Sequence, residues 1–230
     1  QKAYPPTQDL PALKRYLDGL KKYFSEMPRS VIRLSPQLPM NLEAQLIIRQ
    51  AGFERPVFSL GTALTYIVDL KKDLAELREN LEKNWRHQLR SAEKTEPEIL
   101  IGRDRALLER YLPIHNDMCR RKGLAHQQLT IERLETMVKD LGEQIIFMIV
   151  SAKGQDGCGG ALWTFASKGT FALSSANEWG RKNYLPNAMF WRAIGYLKES
   201  GLESFDVAGI DPGKVWSVYN FKRGLNAAPV

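Results

Sequence analysis

Cysteine, histidine and long hydrophobic runs are scarce in this chain, and each shortage excludes a class of protein. The 230 residues include 2 cysteines, Cys119 and Cys158, and 3 histidines. Neither set has the spacing of a zinc site, so we expect no bound metal. With so few cysteines, a reducing, cytoplasmic setting is favoured over a disulfide-stabilised secreted one. No run approaches the roughly 20 apolar residues that a membrane-spanning helix needs.

The motifs of several common enzyme classes are also missing. The chain has no GxxxxGK[ST] loop, no GxGxxG after a strand, no HExxH and no GxSxG. His87, His115 and His126 do not cluster at ligand spacing, and nothing near Cys119 in sequence marks it as an activated nucleophile. A zinc hydrolase or a serine or cysteine enzyme with a covalent intermediate is therefore not indicated.

The charge balance is basic. Lysine and arginine total 33 against 26 aspartate and glutamate residues, which gives a formal net charge of +7. The isoelectric point is about 9.4. A basic protein attracts polyanions such as nucleic acid, nucleotide phosphates or anionic lipid. The alternative is a solvated basic surface without such a partner, and charge alone does not distinguish the two.

Hydrophobic periodicity and Gly, Pro and Asn punctuation predict the order of the elements. Helices are predicted over 9–26, 41–52, 71–94, 104–122, 130–140, 187–201 and 214–222. Strands are predicted over 31–34, 56–69, 98–101 and 204–210, with three more between 143 and 177. The three central strands are joined by short Gly-containing turns, which favours antiparallel hairpins. A strand–helix–strand crossover follows them, so the pattern indicates a mixed α/β fold of the α+β kind.

Cations recur at three places where an anion could bind. Arg86 and Arg90 lie on the polar side of one predicted helix, a pattern that is usually only a solvated face. Arg121 ends another helix, where the helix dipole already favours a cation. Arg181 lies in a predicted loop before a helix that begins near Asn187, and free N–H groups at a helix start bind anions. The segment around Arg181 is therefore the better candidate for a phosphate or carboxylate contact.

Two further side chains are candidates for the chemistry itself. Asp206 lies in the last predicted strand, where a carboxylate can act as a general base, or can only cap or pair locally. Phe221 and Lys222 lie in the terminal aromatic helix. A lysine can reach a developing oxyanion. From physics alone, however, Phe221 in the core and Lys222 in water is the simpler interpretation.

Three short motifs follow one another between Tyr66 and Asn226. A strand ending in DL precedes an R..IR.A pattern at Arg86, Leu89, Arg90 and Ala92. A PN..L.W..I..A...G...YD..G pattern then matches Pro186, Asn187, Trp191, Ile194, Gly201, Asp206 and Gly209. An FK..FG pattern matches Phe221 and Lys222, with Leu225 and Asn226 at its last two positions. In this order the motifs resemble those of the Fem-type peptidyltransferases, which belong to the GCN5-related acyltransferase (GNAT) superfamily.

The resemblance implies a fold and a domain division. It implies a GNAT-like fold, in which a mixed, largely antiparallel sheet is flanked by helices. Residues 66–230 would form a second GNAT-like domain. Residues 1–65 would be the C-terminal half of a first one, since the family's two domains are alike.

The resemblance also implies a reaction. Such enzymes move an aminoacyl group from aminoacyl-tRNA to an amine of a peptidoglycan precursor and so build the interpeptide bridge. The family's motif lysine maps onto Lys222, which would stabilise the oxyanion. Phe221 would hold the adenosine end or position the lysine, and Asp206 is the third catalytic candidate. No covalent intermediate and no cofactor are implied.

The resemblance further implies where substrates bind. The expected partners are the aminoacyl-tRNA and a nucleotide- or lipid-linked muropeptide, with peripheral contact at the inner membrane face. The side chains assigned to substrate binding are Arg86, Arg90, Arg121, Arg181, Asn187 and Tyr219. One alternative is an N-acyltransferase that takes acyl-CoA and modifies a sugar or another small amine. The other is a non-catalytic GNAT-like module that only binds polyanions.

Overall fold

The computed structural model describes residues 10–27, 31–32, 34, 42–54, 65–210 and 215–229. The chain divides into two units, Gln1–Leu60 and Gly61–Val230. In the described part of the chain, no helix is both long and apolar enough to cross a membrane.

The N-terminal unit contains helices α1 (Leu10–Ser25) and α2 (Leu42–Gln50). Their apolar faces meet in a small core of Leu13, Leu17, Ala44 and Ala51. Gly52 follows α2 with a φ of +84°, the left-handed conformation expected of a residue that ends a helix.

The strand predicted over 31–34 is wrong for the described residues of that segment. Val31 and Ile32 have no regular structure, and Leu34 forms only an isolated bridge. The Val31 side chain is 94% exposed. A short apolar run becomes a strand only where a partner supplies the ladder of hydrogen bonds and a surface to pack on.

The C-terminal unit alternates strands and helices. Its strands are β1 (Tyr66–Asp69), β2 (Glu98–Gly102), β3 (Ile145–Ala152), β4 (Gln155–Phe165), β5 (Lys168–Ala176), β6 (Ser204–Asp206) and β7 (Ala228–Pro229). Its α-helices are α3 (Leu74–Asn80), α4 (Lys83–Glu93), α5 (Arg105–Arg121), α6 (Ile131–Leu141), α7 (Glu178–Lys182), α8 (Leu185–Glu199) and α9 (Trp216–Arg223). The strand predicted over 56–69 is described only from residue 65 onward, and β1 confirms its end.

The seven strands form one sheet in the order β2-β3-β4-β5-β6-β1-β7. The predicted hairpins β3–β4 and β4–β5 are antiparallel, whereas β5 and β6 are parallel and are joined through α8. The predicted mixed, largely antiparallel sheet flanked by helices is therefore confirmed.

Helices cover both faces of this sheet, and β3 shows why. Its residues Ile145, Phe147 and Ile149 pack against α5 and α6. The alternate residues Met148 and Val150 pack against α4 and α8. Because side chains alternate along a strand, a strand that is covered on both faces needs an unbroken apolar sequence.

The single helix predicted over 71–94 is two helices, α3 and α4, that break at Leu81 and Glu82. The backbone N–H of Glu82 donates to the carbonyl of Gly224, 3.0 Å away, instead of to a carbonyl of the preceding turn. Leu81 is 4% exposed and stays on the apolar stripe that suggested one helix. Periodicity does not reveal such a break, because its cause lies in a distant part of the chain.

Candidate active site

The carboxyl ends of the parallel strands β5 and β6 point toward the same edge of the sheet, and β6 ends first. They pair over Lys168–Thr170 and Ser204–Asp206, after which β5 continues to Ala176 without a partner in β6. Helix α9 packs at this edge and brings Lys222 to the backbone just beyond β6. The candidate site lies there.

Backbone carbonyls hold the Lys222 ammonium. Nζ donates to the carbonyl oxygens of Ala208 and Gly209, each at 3.0 Å. An ammonium has three N–H donors, and the third has no acceptor among the described residues. The backbone thus holds the Lys222 ammonium in place, and in the described part of the chain one of its N–H donors has no partner.

Burial sets the charge behaviour of Lys222. Loss of solvent lowers the pKa of its ammonium from 10.5 to about 8, because the charged form is penalised. The Asp206 carboxylate acts in the opposite direction, and the Lys122 ammonium at the end of α5 adds to the lowering. A lysine poised near neutral pH is typical of a functional site.

Asp206 shapes the backbone that holds Lys222. Its Oδ1 accepts a hydrogen bond of 2.5 Å from the Thr65 hydroxyl and one of 2.8 Å from the Ala208 N–H. The Ala208 carbonyl oxygen, 3.0 Å from Thr65 Oγ1, shares this single hydroxyl proton with Asp206. Ala208 has a φ of +65°, which is unusual for a residue with a side chain. Asp206 thereby stabilises the turn whose carbonyls bind Lys222.

Aromatic packing anchors α9. The Phe221 ring packs edge-on against Phe190, with centroids 4.9 Å apart, and lies 5.8 Å from the Trp85 ring. Gly224, directly after α9, lies so close to Trp85 that an added Cβ would be 2.7 Å from the ring Cδ1. The Phe-Lys-Arg-Gly run therefore fixes the helix to α4 and α8, and this fixes Lys222.

At the two positions that differ from the FK..FG pattern, the residues present suit the burial and the backbone conformation found there. Leu225 is 5% exposed and fills the apolar position. Asn226 has a φ of +51°, and asparagine is among the residues that tolerate this conformation best after glycine.

Tyr219 and the cations of α5 and α7 lie around the same edge of the sheet. Tyr219 lies beside Tyr66, whose pKa is raised by burial and by this neighbouring phenol. Arg121 donates to Asp117 and, at 2.5 Å, to the carbonyl of Ala176 at the end of β5. Arg181, predicted to lie in a loop, is instead in the single-turn helix α7 and is exposed.

The other predicted substrate-binding side chains lie on or against α4. Arg86 donates to the carbonyl of Glu79 at 2.9 Å, and Arg90 is exposed. Asn187 is 2% exposed and donates to Gln88 of α4 at 3.4 Å. The structure shows Asn187 joining α8 to α4, and its role in substrate binding stays a prediction.

Sequence reasoning missed Thr65, the carbonyl of Ala208 and Lys122. Thr65 precedes β1 and meets Asp206 only because β1 and β6 are sheet neighbours. Lys122 directly follows Arg121 at the end of a predicted helix, where the helix dipole alone already accounts for a cation. Every residue has a backbone carbonyl, so the two carbonyls that bind Lys222 could not be predicted from the sequence.

Neither cysteine is accessible for covalent chemistry. Cys119 and Cys158 are both fully buried, and burial raises the pKa of the Cys158 thiol. Cys119 lies 3.4 Å from the His115 ring, whose other nitrogen contacts Ser175 and Tyr111 in a buried cluster between α5 and β5. In the described residues, no group of three metal-ligating side chains is found.

Comparison with known proteins finds likeness in structure. No protein-family model matches the chain, and no curated protein matches it significantly. The crystal structure of FemX matches with a TM-score of 0.79 and 15% identity, over 96% of this chain and 75% of FemX.

Two further solved structures are similar to this chain, which covers a smaller share of each of them than it covers of FemX. L-PGS from Bacillus licheniformis has a TM-score of 0.52 and 13% identity, over 82% of this chain and 62% of its own. The C-terminal domain of a candidate lysylphosphatidylglycerol synthetase from Agrobacterium fabrum has a TM-score of 0.51 and 12% identity, over 75% and 58%. The chain spans less than two thirds of either. The match to FemX, together with the sheet and its helices, shows that this chain has the fold of FemX.

Proposed function

We propose that the protein is an aminoacyltransferase that moves an aminoacyl group from aminoacyl-tRNA to an amine of a peptidoglycan precursor. The observation that carries this proposal is the Lys222 ammonium, which two carbonyls hold and whose third N–H has no partner among the described residues, in a fold shared with FemX. The domain assignment, with 66–230 as the second GNAT-like domain and 1–65 as half of a first, belongs to the same proposal.

The reaction needs a cation at a position where negative charge develops. The acceptor amine attacks the ester carbonyl carbon of the donor, a C–N bond forms, and the carbonyl oxygen becomes an oxyanion. The third N–H of Lys222 donates to that oxygen. Collapse then breaks the C–O bond to the ribose, and the proton lost by the amine ends on the ribose oxygen.

Asp206 and the surrounding cations have supporting roles in this proposal. Oδ1 of Asp206 is engaged by two donors, and among the described residues Oδ2 has no hydrogen-bond partner. It therefore stays a candidate for carrying the amine proton. Arg121 and Arg181 are the candidates for the precursor's diphosphate, and both cations act on the Glu178 carboxylate, so they share one region.

A transfer assay on the full chain tests the proposal. Charged tRNA with labelled amino acids and labelled acetyl-CoA are offered in parallel, each with a muropeptide precursor as acceptor. We expect label to move from tRNA to the precursor. A Lys222→Met variant should lose transfer, whereas Lys168→Met, at an exposed strand position, should retain it.

Other outcomes identify other functions. Label that moves only from acetyl-CoA would contradict the proposal and favour the acyl-CoA alternative. A further arm offers charged tRNA with phosphatidylglycerol vesicles as the acceptor; label that moves only to this lipid would support the proposed donor and contradict the proposed acceptor. RNA binding without any transfer would favour a non-catalytic module.

A further inference from the structure

The outer face of α4 carries a row of cations. Lys83, Arg86, Arg90 and Lys94 follow one another at spacings of three or four residues, so the helical repeat places them on one side. Three of them are exposed and Arg86 is partly exposed. The row is about 16 Å long, at 1.5 Å of rise per residue. We call these four residues the α4 cationic row.

The row is electrostatically unfavourable for the isolated helix. Like charges three or four residues apart repel each other, and here every neighbour in the row has the same sign. Among the described residues, none of the four forms an ion pair, and Arg86 donates only to a backbone carbonyl. Other helices of the unit place a carboxylate at this spacing, as in the pairs Arg105–Glu109, Asp117–Arg121 and Glu178–Lys182.

The start of α4 adds to this cost. Lys83 is the first residue of the helix, and the first turn contains no acidic residue. The positive end of the helix dipole lies there and disfavours a cation. Packing does not explain the row, because three of its four residues are exposed, whereas a bound polyanion would relieve both repulsions.

The row begins beside the candidate active site. The residue before it, Glu82, bonds through its N–H to the Gly224 carbonyl and through its carboxylate to Arg223 of α9. Trp85, in the first turn of α4, packs against Phe221, the neighbour of Lys222. These contacts hold the start of the row next to α9, the helix that carries Lys222.

We propose that the α4 cationic row binds the phosphate backbone of an RNA, which is the donor if the proposed function holds. A nucleic-acid backbone offers a line of anions that matches a line of cations. A membrane surface fits less well. The apolar side of α4, with Trp85, Leu89 and Ala92, is buried in the domain, so no apolar residue of this face is left to enter a bilayer.

Salt-dependent RNA binding by the full chain tests this surface. The probe is uncharged tRNA, and its affinity is measured over a series of KCl concentrations. The variant carries Lys83→Gln, Arg90→Gln and Lys94→Gln. A matched control carries Lys72→Gln, Arg105→Gln and Arg192→Gln, which removes the same charge from exposed or partly exposed cations that already pair with carboxylates.

Loss of three phosphate contacts makes the slope of log K against log salt less negative by about 2 to 3, and at about 0.1 M salt it weakens binding roughly 100-fold. We expect this for the row variant and a much smaller effect for the control. Equal effects, no effect, or a larger loss of binding to anionic vesicles than to tRNA would overturn the inference.

The transfer assay separates this inference from the proposed function. If the wild type transfers aminoacyl groups but the row variant binds and uses tRNA normally, RNA binding by the α4 cationic row is contradicted and the proposed transfer function is supported. If the row binds tRNA but the wild type transfers nothing from it, the function is wrong and the surface stands. When both hold, the row variant should raise KM for charged tRNA and leave kcat nearly unchanged.

Discussion

Gly224 lies so close to Trp85 that an added Cβ would be 2.7 Å from the ring Cδ1 and 3.1 Å from Cβ of the tryptophan. Trp85 is 3% exposed and cannot move aside without disturbing the core. The position thus requires glycine because of a neighbour in α4, since its own φ of −61° is open to any residue.

Gly224→Ala should therefore destabilise the protein and displace α9. Overpacking of this kind costs about 1 to 3 kcal/mol. Urea unfolding measures the loss, and the transfer rate should fall with it because α9 carries Lys222. The control is Gly195→Ala in α8, where the nearest atom to an added Cβ is the flexible Arg192 guanidinium at 3.4 Å. That change should stabilise by roughly 1 kcal/mol through helix propensity, and a loss there as large as at Gly224 would contradict this reasoning.

The rate of transfer should decline as pH rises through about 8, the lowered pKa of Lys222. Below that pH the ammonium is charged and donates to the oxyanion; above it the proton is lost. An unperturbed lysine would show this decline only near pH 10.4. The measurement is the ratio of wild-type to Lys222→Arg rates against pH, because arginine stays charged and the titration of the acceptor amine cancels. A constant ratio from neutral pH to pH 10 would exclude the proposed role of Lys222.

Asp206 and Lys122 should shift that decline in opposite directions. The Asp206 carboxylate raises the pKa of Lys222 and the Lys122 ammonium lowers it. Asp206→Asn should therefore move the alkaline decline to lower pH, and Lys122→Met should move it to higher pH. The readout is the midpoint of the same pH profile, which a purely structural loss would leave in place. Shifts of the same sign in both variants would contradict the arrangement.

Asn226→Ala should lower the free energy of unfolding by roughly 1 kcal/mol, because alanine is strained at a φ of +51°. Asn226→Gly should cost nothing or stabilise slightly, since glycine adopts this conformation freely. Thermal or urea unfolding of the two variants side by side checks the prediction. Equal loss in both would mean that the asparagine side chain, and not its backbone, matters.

The elements of the C-terminal unit could largely be predicted from the sequence, and specific residues show why. Ile145 to Val150 form an unbroken apolar run rich in β-branched residues, which suits a strand covered on both faces. Glycines between the central strands predicted the hairpins that form. The prediction was wrong at two places that depend on distant residues. Glu82 breaks a helix by bonding to Gly224, and Val31 has no strand neighbour within the described ranges.

The features of the candidate site also fall into those that the sequence predicts and those that depend on the tertiary structure. By itself the sequence determined the residue types and their order, including the Phe-Lys-Arg-Gly run, and with them the resemblance that the fold bears out. Only the tertiary structure decided what surrounds Lys222. Its carbonyl cradle, the Asp206–Thr65 bond and the approach of Lys122 join residues that lie far apart in the chain or involve backbone atoms that every residue has. Local periodicity reports which face of an element is apolar. The environment that tunes the pKa of a buried lysine arises only when separate elements pack together.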